Sequence, residues 1–160
     1  MRSKWSLILV AAFLITAFCF ASSTASAAVA AGKERVQRKR VSLAADAVAL
    51  AQQFLGVRYR YGGSSPRTGF DCSGFIMYIY GRLGISLPHI AAAQASVGIH
   101  VPRASLKPGD LVFFDGLGHA GIYIGKGRFI HSPRTGESVR IDYLSGHWSR
   151  GYVGARRVAA

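Results

Sequence analysis

An α+β domain, with helices packed on one side of an antiparallel sheet, is what the order of patterns along this chain predicts. Three observations carry the prediction. Apolar residues recur at helical spacing over residues 43–55 and 72–83. From residue 106 onward the texture changes to short β-rich runs punctuated by Gly and Pro. Residues 28–160, which remain when an N-terminal export signal is set aside, suffice for one hydrophobic core and are too few for two.

Residues 1–27 read as a secretory signal. Arg2 and Lys4 give a positive start, Trp5 to Phe20 is an uncharged and mostly apolar run, and Ala25-Ser26-Ala27 is a small-x-small cleavage site. The run is shorter than the ~20 residues of a spanning helix, so no stable membrane span is expected once the signal is removed. Phe18 stands where a lipoprotein signal would place a small residue before Cys19. Residues 28–41 hold Lys33, Arg35, Arg38, Lys39 and Arg40 against Glu34, with no apolar period, and read as a basic flexible leader to a domain over 42–160. Losing Arg2 and Lys4 lowers the net charge from +13 to about +11. A surface of that sign favours anionic polymers. Export argues against nucleic acid and leaves anionic cell-envelope polymers as partners. No oligomer signal is visible, and a monomer is expected.

Within the domain, Ser42 is placed to cap a helix over Leu43 to Leu55, with Gly56 just past its end. A loop of turn formers follows over residues 62–69. Cys72 to Leu83 predicts a second helix that stops at Gly84 and buries Ile76, Ile79, Tyr80 and Leu83. Ile90 to Val97 predicts a short third helix. Pro108-Gly109-Asp110 is a turn into the strand Leu111 to Phe114. His119 to Ile124 and Arg128 to His131 predict a hairpin through Gly125-Lys126-Gly127. Val139 to Ile141 and Tyr152 to Val158 complete the strands.

Cys72 carries the most chemistry. The only other cysteine, Cys19, leaves with the signal, so an exported chain retains a lone thiol with no intramolecular disulfide partner. A free thiol titrates at about 8.5 and reacts as the thiolate. A helix N-terminus and a neighbouring imidazole both favour that form. Cys72 stands at a predicted helix start with Asp71 as its cap, and Gly74 leaves room for a close approach. Of the five histidines, His119 opens one hairpin strand and His131 ends the other. A three-residue loop or a bulge puts His131 opposite Gly121 and on the same face as His119; a plain two-residue loop separates them. The expected constellation is Cys72 as nucleophile, His119 as base and His131 as the group that orients the base. The Cys72 backbone N–H, with Tyr59 or Tyr61, would hold an oxyanion. His89, His100 and His147 read as exposed loop residues. There is no CxxC, HExxH or phosphate loop, so neither metal nor cofactor is expected.

Five segments in one order resemble the NlpC/p60 family of cysteine peptidases. They are Gly56-Val57-Arg58-Tyr59-Arg60-Tyr61-Gly62-Gly63, Asp71-Cys72-Ser73-Gly74-Phe75, Leu106 to Phe114, His119 to Gly125, and Phe129-Ile130-His131-Ser132. The resemblance covers residues 43–158. It implies a papain-like α+β fold and an exported hydrolase of amide bonds in the peptide stems or cross-links of bacterial peptidoglycan, periplasmic or associated with the cell wall. It carries the nucleophile to Cys72, the base to His119, the orienting residue to His131 and the oxyanion-assisting tyrosine to Tyr59. Pro88-His89-Ile90-Ala91 departs from the polar stretch usual at this point. An amidase or acyltransferase on the same fold, and a cationic wall-binding protein without catalysis, are the competing readings.

Overall fold

The computed structural model describes the backbone of residues 4–158 and the side chains of residues 26–158. The signal expected over residues 1–27 therefore lies almost wholly outside the described side chains. The chain divides into two units, Met1–Lys39 and Arg40–Ala160. A helix, α1, is assigned over Lys4–Gln52. Residues 28–41, expected as an irregular leader, lie within this helix with their side chains exposed. Arg38 pairs with Glu34 one turn back at 2.6 Å. The helix is already running at Ser42, whose hydroxyl donates to Asp46 at 3.2 Å instead of capping a helix start. Residues 33–40 before it are mostly Lys, Arg, Glu and Gln, good helix formers with no Gly or Pro among them, and they carry the helix up to Ser42. Among the described residues no helix is long and apolar enough to cross a membrane.

The second unit is built on one sheet. Its strands are β3 (Ile99–His100), β4 (Leu111–Phe114), β5 (His119–Gly125), β6 (Arg128–His131), β7 (Arg140–Tyr143) and β8 (Tyr152–Arg157), in the spatial order β3-β8-β4-β5-β6-β7. Every neighbouring pair is antiparallel. Two-residue strands β1 (Ser64–Ser65) and β2 (Gly69–Phe70) pair across the predicted loop. Helix α2 spans Cys72–Arg82, α3 Ala91–Gln94 and α4 Gly146–Arg150. The α+β prediction holds, and each predicted strand is found within a residue or two. The short pieces β1, β2, β3 and α4 were not predicted.

Strand alternation explains the layering, since successive side chains leave opposite faces. Leu111, Phe113, Ala120, Ile122 and Ile130 face one way and pack with Phe75, Ile76, Ile79 and Tyr80 of α2, and with Ala47 and Ala51 from the end of α1. Val112, Phe114 and Phe129 face the other way and meet Val101, Ala155 and the partly buried Trp148 and Tyr152. All four residues of β4 are buried, which fits a strand covered on both faces. Ile76, Ile79 and Tyr80 are fully buried as the helical stripe requires, and Leu83 is half-buried at the cap. The Tyr80 hydroxyl donates to the Gly109 carbonyl, tying α2 to the turn that leads into β4.

That turn is held by an ion pair. Asp110 is 1% exposed and accepts from Arg157 Nε at 2.6 Å, Arg157 Nη2 at 2.7 Å and the Lys107 N–H at 2.7 Å. Removing the guanidinium would leave a buried carboxylate with one backbone donor. Because Arg157 itself retains some solvent, Arg157→Ala is expected to cost roughly 2–3 kcal/mol, toward the low end for breaking a buried pair. Urea denaturation of the two proteins measures it.

Candidate active site

Cys72 heads α2. Asp71 has extended backbone, and its carboxylate accepts the Gly74 N–H at 2.6 Å as an N-cap. The same carboxylate accepts the Gly62 N–H at 2.9 Å and the Ser73 hydroxyl at 3.1 Å, and both its oxygens lie 3.0 Å from His89 Nε2. His89 is therefore no exposed loop residue: it is half-buried and bound to the cap of the cysteine helix. Gly74 is needed for closeness, because a Cβ there would collide with the Gly63 carbonyl and with His89 Nε2. The approach anticipated at Gly74 is thus made by the backbone of Gly63. Burial pushes the Cys72 thiol up, as does the Asp71 charge. The N–H groups of Ala120, Ser73 and Cys72 itself act in the opposite sense. Ala120 follows His119 in β5, so the cysteine helix tip lies against the histidine strand. The Cys72 thiol and His119 are not hydrogen-bonded to one another among the contacts described.

The hairpin β5–β6 sets the two histidines. Its register pairs Ile122 with Ile130 and Tyr123 with Phe129, then shifts between Tyr123 and Gly125. The turn is short, and the irregularity is one of the two solutions the chemistry required. Gly121 falls opposite His131; a Cβ there would strike the Phe129 ring and crowd His131 Cβ. His119 Nε2 and His131 Nδ1 are 2.7 Å apart. His131 is fully buried and His119 is 8% exposed. Burial lowers the His119 pKa to about 4, against a smaller upward pull from Asp115 and Asp142. Burial, and then the neighbouring His119, hold His131 well below the usual imidazole range. Both rings are neutral at pH 7. The Trp148 indole stacks on His119 at 5.1 Å between centroids and meets His131 edge-on at 4.9 Å.

Behind His131 lies Asp142 of β7, with its Oδ2 at 3.1 Å from His131 Nε2. Burial raises its pKa, but hydrogen bonds from Arg140 and Trp148 outweigh that and keep the carboxylate below its ordinary value. The sequence reading did not single out Asp142 or Trp148. The available signal was the alternation Arg140-Ile141-Asp142, which sends an Arg and an Asp to one face of the strand pairing with His131. His147 is exposed, with its ring 5.1 Å from that of Trp148, and His100 is exposed in β3. A cavity of about 460 Å³ beside His119 is lined by Arg134, Glu137, Arg140, His147 and Trp148, among others. Of the two candidate tyrosines, Tyr61 is 88% exposed, whereas Tyr59 is half-buried. Burial raises the Tyr59 pKa, followed by the charges at Cys72 and Asp71, so its ring is within electrostatic reach of the thiol. Among the described residues no three His, Cys, Asp or Glu side chains gather as a metal site.

A cysteine-headed helix laid on an antiparallel sheet that bears paired histidines is a papain-like α+β arrangement. Residues 56–157 match the NlpC/P60 family model, and the chain belongs to the NlpC/P60 family. It is 50% identical over 115 residues to the murein DD-endopeptidase MepH of Escherichia coli, covering 66% of this chain and 42% of that protein. It is 42% identical over 133 residues to the gamma-DL-glutamyl hydrolase of Bacillus subtilis, covering 79% and 32%. The chain thus spans less than half the length of these relatives. Among solved structures it resembles an NlpC/P60 family protein from Bacillus cereus, with TM-score 0.70 and 40% identity over 73% of this chain and 40% of that one. It also resembles the NlpC/p60 domain of the peptidoglycan hydrolase SagA, with TM-score 0.65 and 34% identity over 71% of this chain and 97% of that one.

Proposed function

We propose that this protein is an exported cysteine endopeptidase that hydrolyses amide bonds in the peptide part of peptidoglycan. The observation that carries the reading is the histidine pair, 2.7 Å apart, on the β5–β6 hairpin whose first strand touches the tip of the Cys72 helix. Cys72 attacks the carbonyl carbon as His119 takes the thiol proton. His119 then returns that proton to the leaving amine, and water hydrolyses the thioester. The Cys72 N–H and the Tyr59 hydroxyl are the donors for the oxyanion, and His131 orients His119. With the thiol raised and the imidazole lowered, the resting pair is neutral, so the proton moves as attack begins.

The substrate class rests on the relatives: one is named a murein DD-endopeptidase and another a gamma-DL-glutamyl hydrolase. The positive charge suits an anionic wall, and the apolar run with Ala25-Ser26-Ala27 supports export to the periplasm or wall. We take the enzyme to act as a monomer without a cofactor. The test is mass spectrometry of purified peptidoglycan after incubation with the protein or with Cys72→Ala. New peptide fragments are expected from the wild type alone, and their masses name the bond. Equal release by Cys72→Ala would end the nucleophile assignment. Binding of wall by both proteins with release by neither would favour the non-catalytic reading.

A further inference from the structure

We propose that Asp142 is a positioning residue: by accepting a hydrogen bond from His131 it fixes the tautomers of both histidines and bares His119 Nδ1 toward the thiol. The inference rests on reading Cys72 and His119 as nucleophile and base.

It follows from counting protons along one hydrogen-bonded row. A carboxylate only accepts. Asp142 Oδ2 receives Arg140 Nε at 3.1 Å, Arg140 Nη2 at 3.0 Å and Trp148 Nε1 at 3.0 Å, which keeps it ionised. The proton in the 3.1 Å contact with His131 must then sit on His131 Nε2. His131 is fully buried and neutral, so it carries that one proton and its Nδ1 is a bare acceptor. The 2.7 Å contact to His119 must therefore be donated by His119 Nε2. Neutral His119 has one proton as well, which leaves its Nδ1 lone pair free. When Cys72 reacts, the S–H bond breaks and an N–H bond forms at His119 Nδ1. The positive charge stays on His119. No proton moves along the row: His131 stays neutral and Asp142 stays ionised.

Without Asp142, nothing prevents His131 from carrying its proton on Nδ1. That proton would face His119 Nε2, make it an acceptor, and drive the His119 proton onto Nδ1. The base would then offer the thiol a proton in place of a lone pair. The charged groups around the row are Arg140 on β7, Glu137 paired to Arg140 at 2.5 Å, and Asp115 near His119. Only Asp142 touches His131 with a fixed acceptor.

All these donors converge on one oxygen, and this gives the test its discrimination. An asparagine carbonyl at the Oδ2 position accepts the same bonds without the charge. In the full-length protein, Asp142→Ala is expected to slow Cys72 alkylation by iodoacetamide at pH 7, and kcat on peptidoglycan fragments, by roughly 100-fold or more. Asp142→Asn is expected to recover most of both. Imidazole ¹⁵N NMR of the wild type should show a bare Nδ1 and a protonated Nε2 on His119, and Asp142→Ala should lose that pattern. Alkylation and NMR need no substrate, so they test Asp142 even where no wall fragment is released. Alkylation within three-fold of wild type in Asp142→Ala, equal impairment of the Asn and Ala proteins, or a proton on His119 Nδ1 in the wild type would each overturn the proposal.

Discussion

His119→Ala is expected to lower kcat/KM on peptidoglycan fragments by roughly four orders of magnitude or more, while circular dichroism stays that of the wild type. The size follows from the state of the thiol. Burial and the Asp71 carboxylate raise the Cys72 pKa, so the thiolate is scarce at neutral pH and the proton must leave during attack. Without the His119 imidazole the group that takes the thiol proton is gone, and with it the acid that protonates the departing amine. The fold should survive because the surrounding sheet is held elsewhere. Phe114, Phe129 and Trp148 contact one another directly, with ring centroids 4.9–5.3 Å apart. A cavity at the His119 ring will lower stability by a kcal/mol or two, on the order of a modest core truncation. Stability and turnover are therefore measured on the same samples. Near-normal turnover by a folded His119→Ala protein would remove His119 from the chemistry.

Much of this site was legible because its determinants are local. Asp71 before Cys72 and Gly84 after Leu83 bound α2 by capping rules alone, and the helix is Cys72–Arg82. The odd numbering of His119 and His131, read across the glycines at 125 and 127, required a particular register, and the shift at Tyr123/Gly125 supplies it. What was missed depends on pairings distant in sequence. His89 reaches Asp71 across 18 residues, and no rule for an isolated Pro-His dipeptide anticipates that. Asp142 depends on β7 pairing with β6 after an intervening loop, and Trp148 on α4 folding back over the histidines. Ser42 misled because its local cap signal competes with the run of Lys, Arg, Glu and Gln before it, good helix formers that continue the helix through it.

Acid is expected to destabilise this protein over a window set by the two buried histidines. Unfolded, each titrates near 6.5; folded, His119 titrates at about 4 and His131 is also lowered. Well above pH 6.5 both states are neutral and stability does not depend on these groups. As the pH falls below 6.5 the unfolded chain takes up protons that the folded protein refuses, so stability falls with pH by up to ~1.4 kcal/mol per unit for each histidine. Between pH 6.5 and 4.5 the pair should remove roughly 4–5 kcal/mol, comparable to the whole stability of a marginal domain. Asp142, whose folded pKa is lowered from 3.8, adds its own loss only as the pH falls toward and below that value. Urea unfolding at half-unit steps from pH 7.5 to 4.5 gives the slope, and His131→Gln should reduce it by close to one proton whatever it does to the stability at pH 7. A flat profile would mean that the folded histidines titrate as they do in the unfolded chain, so that burial does not lower their pKa.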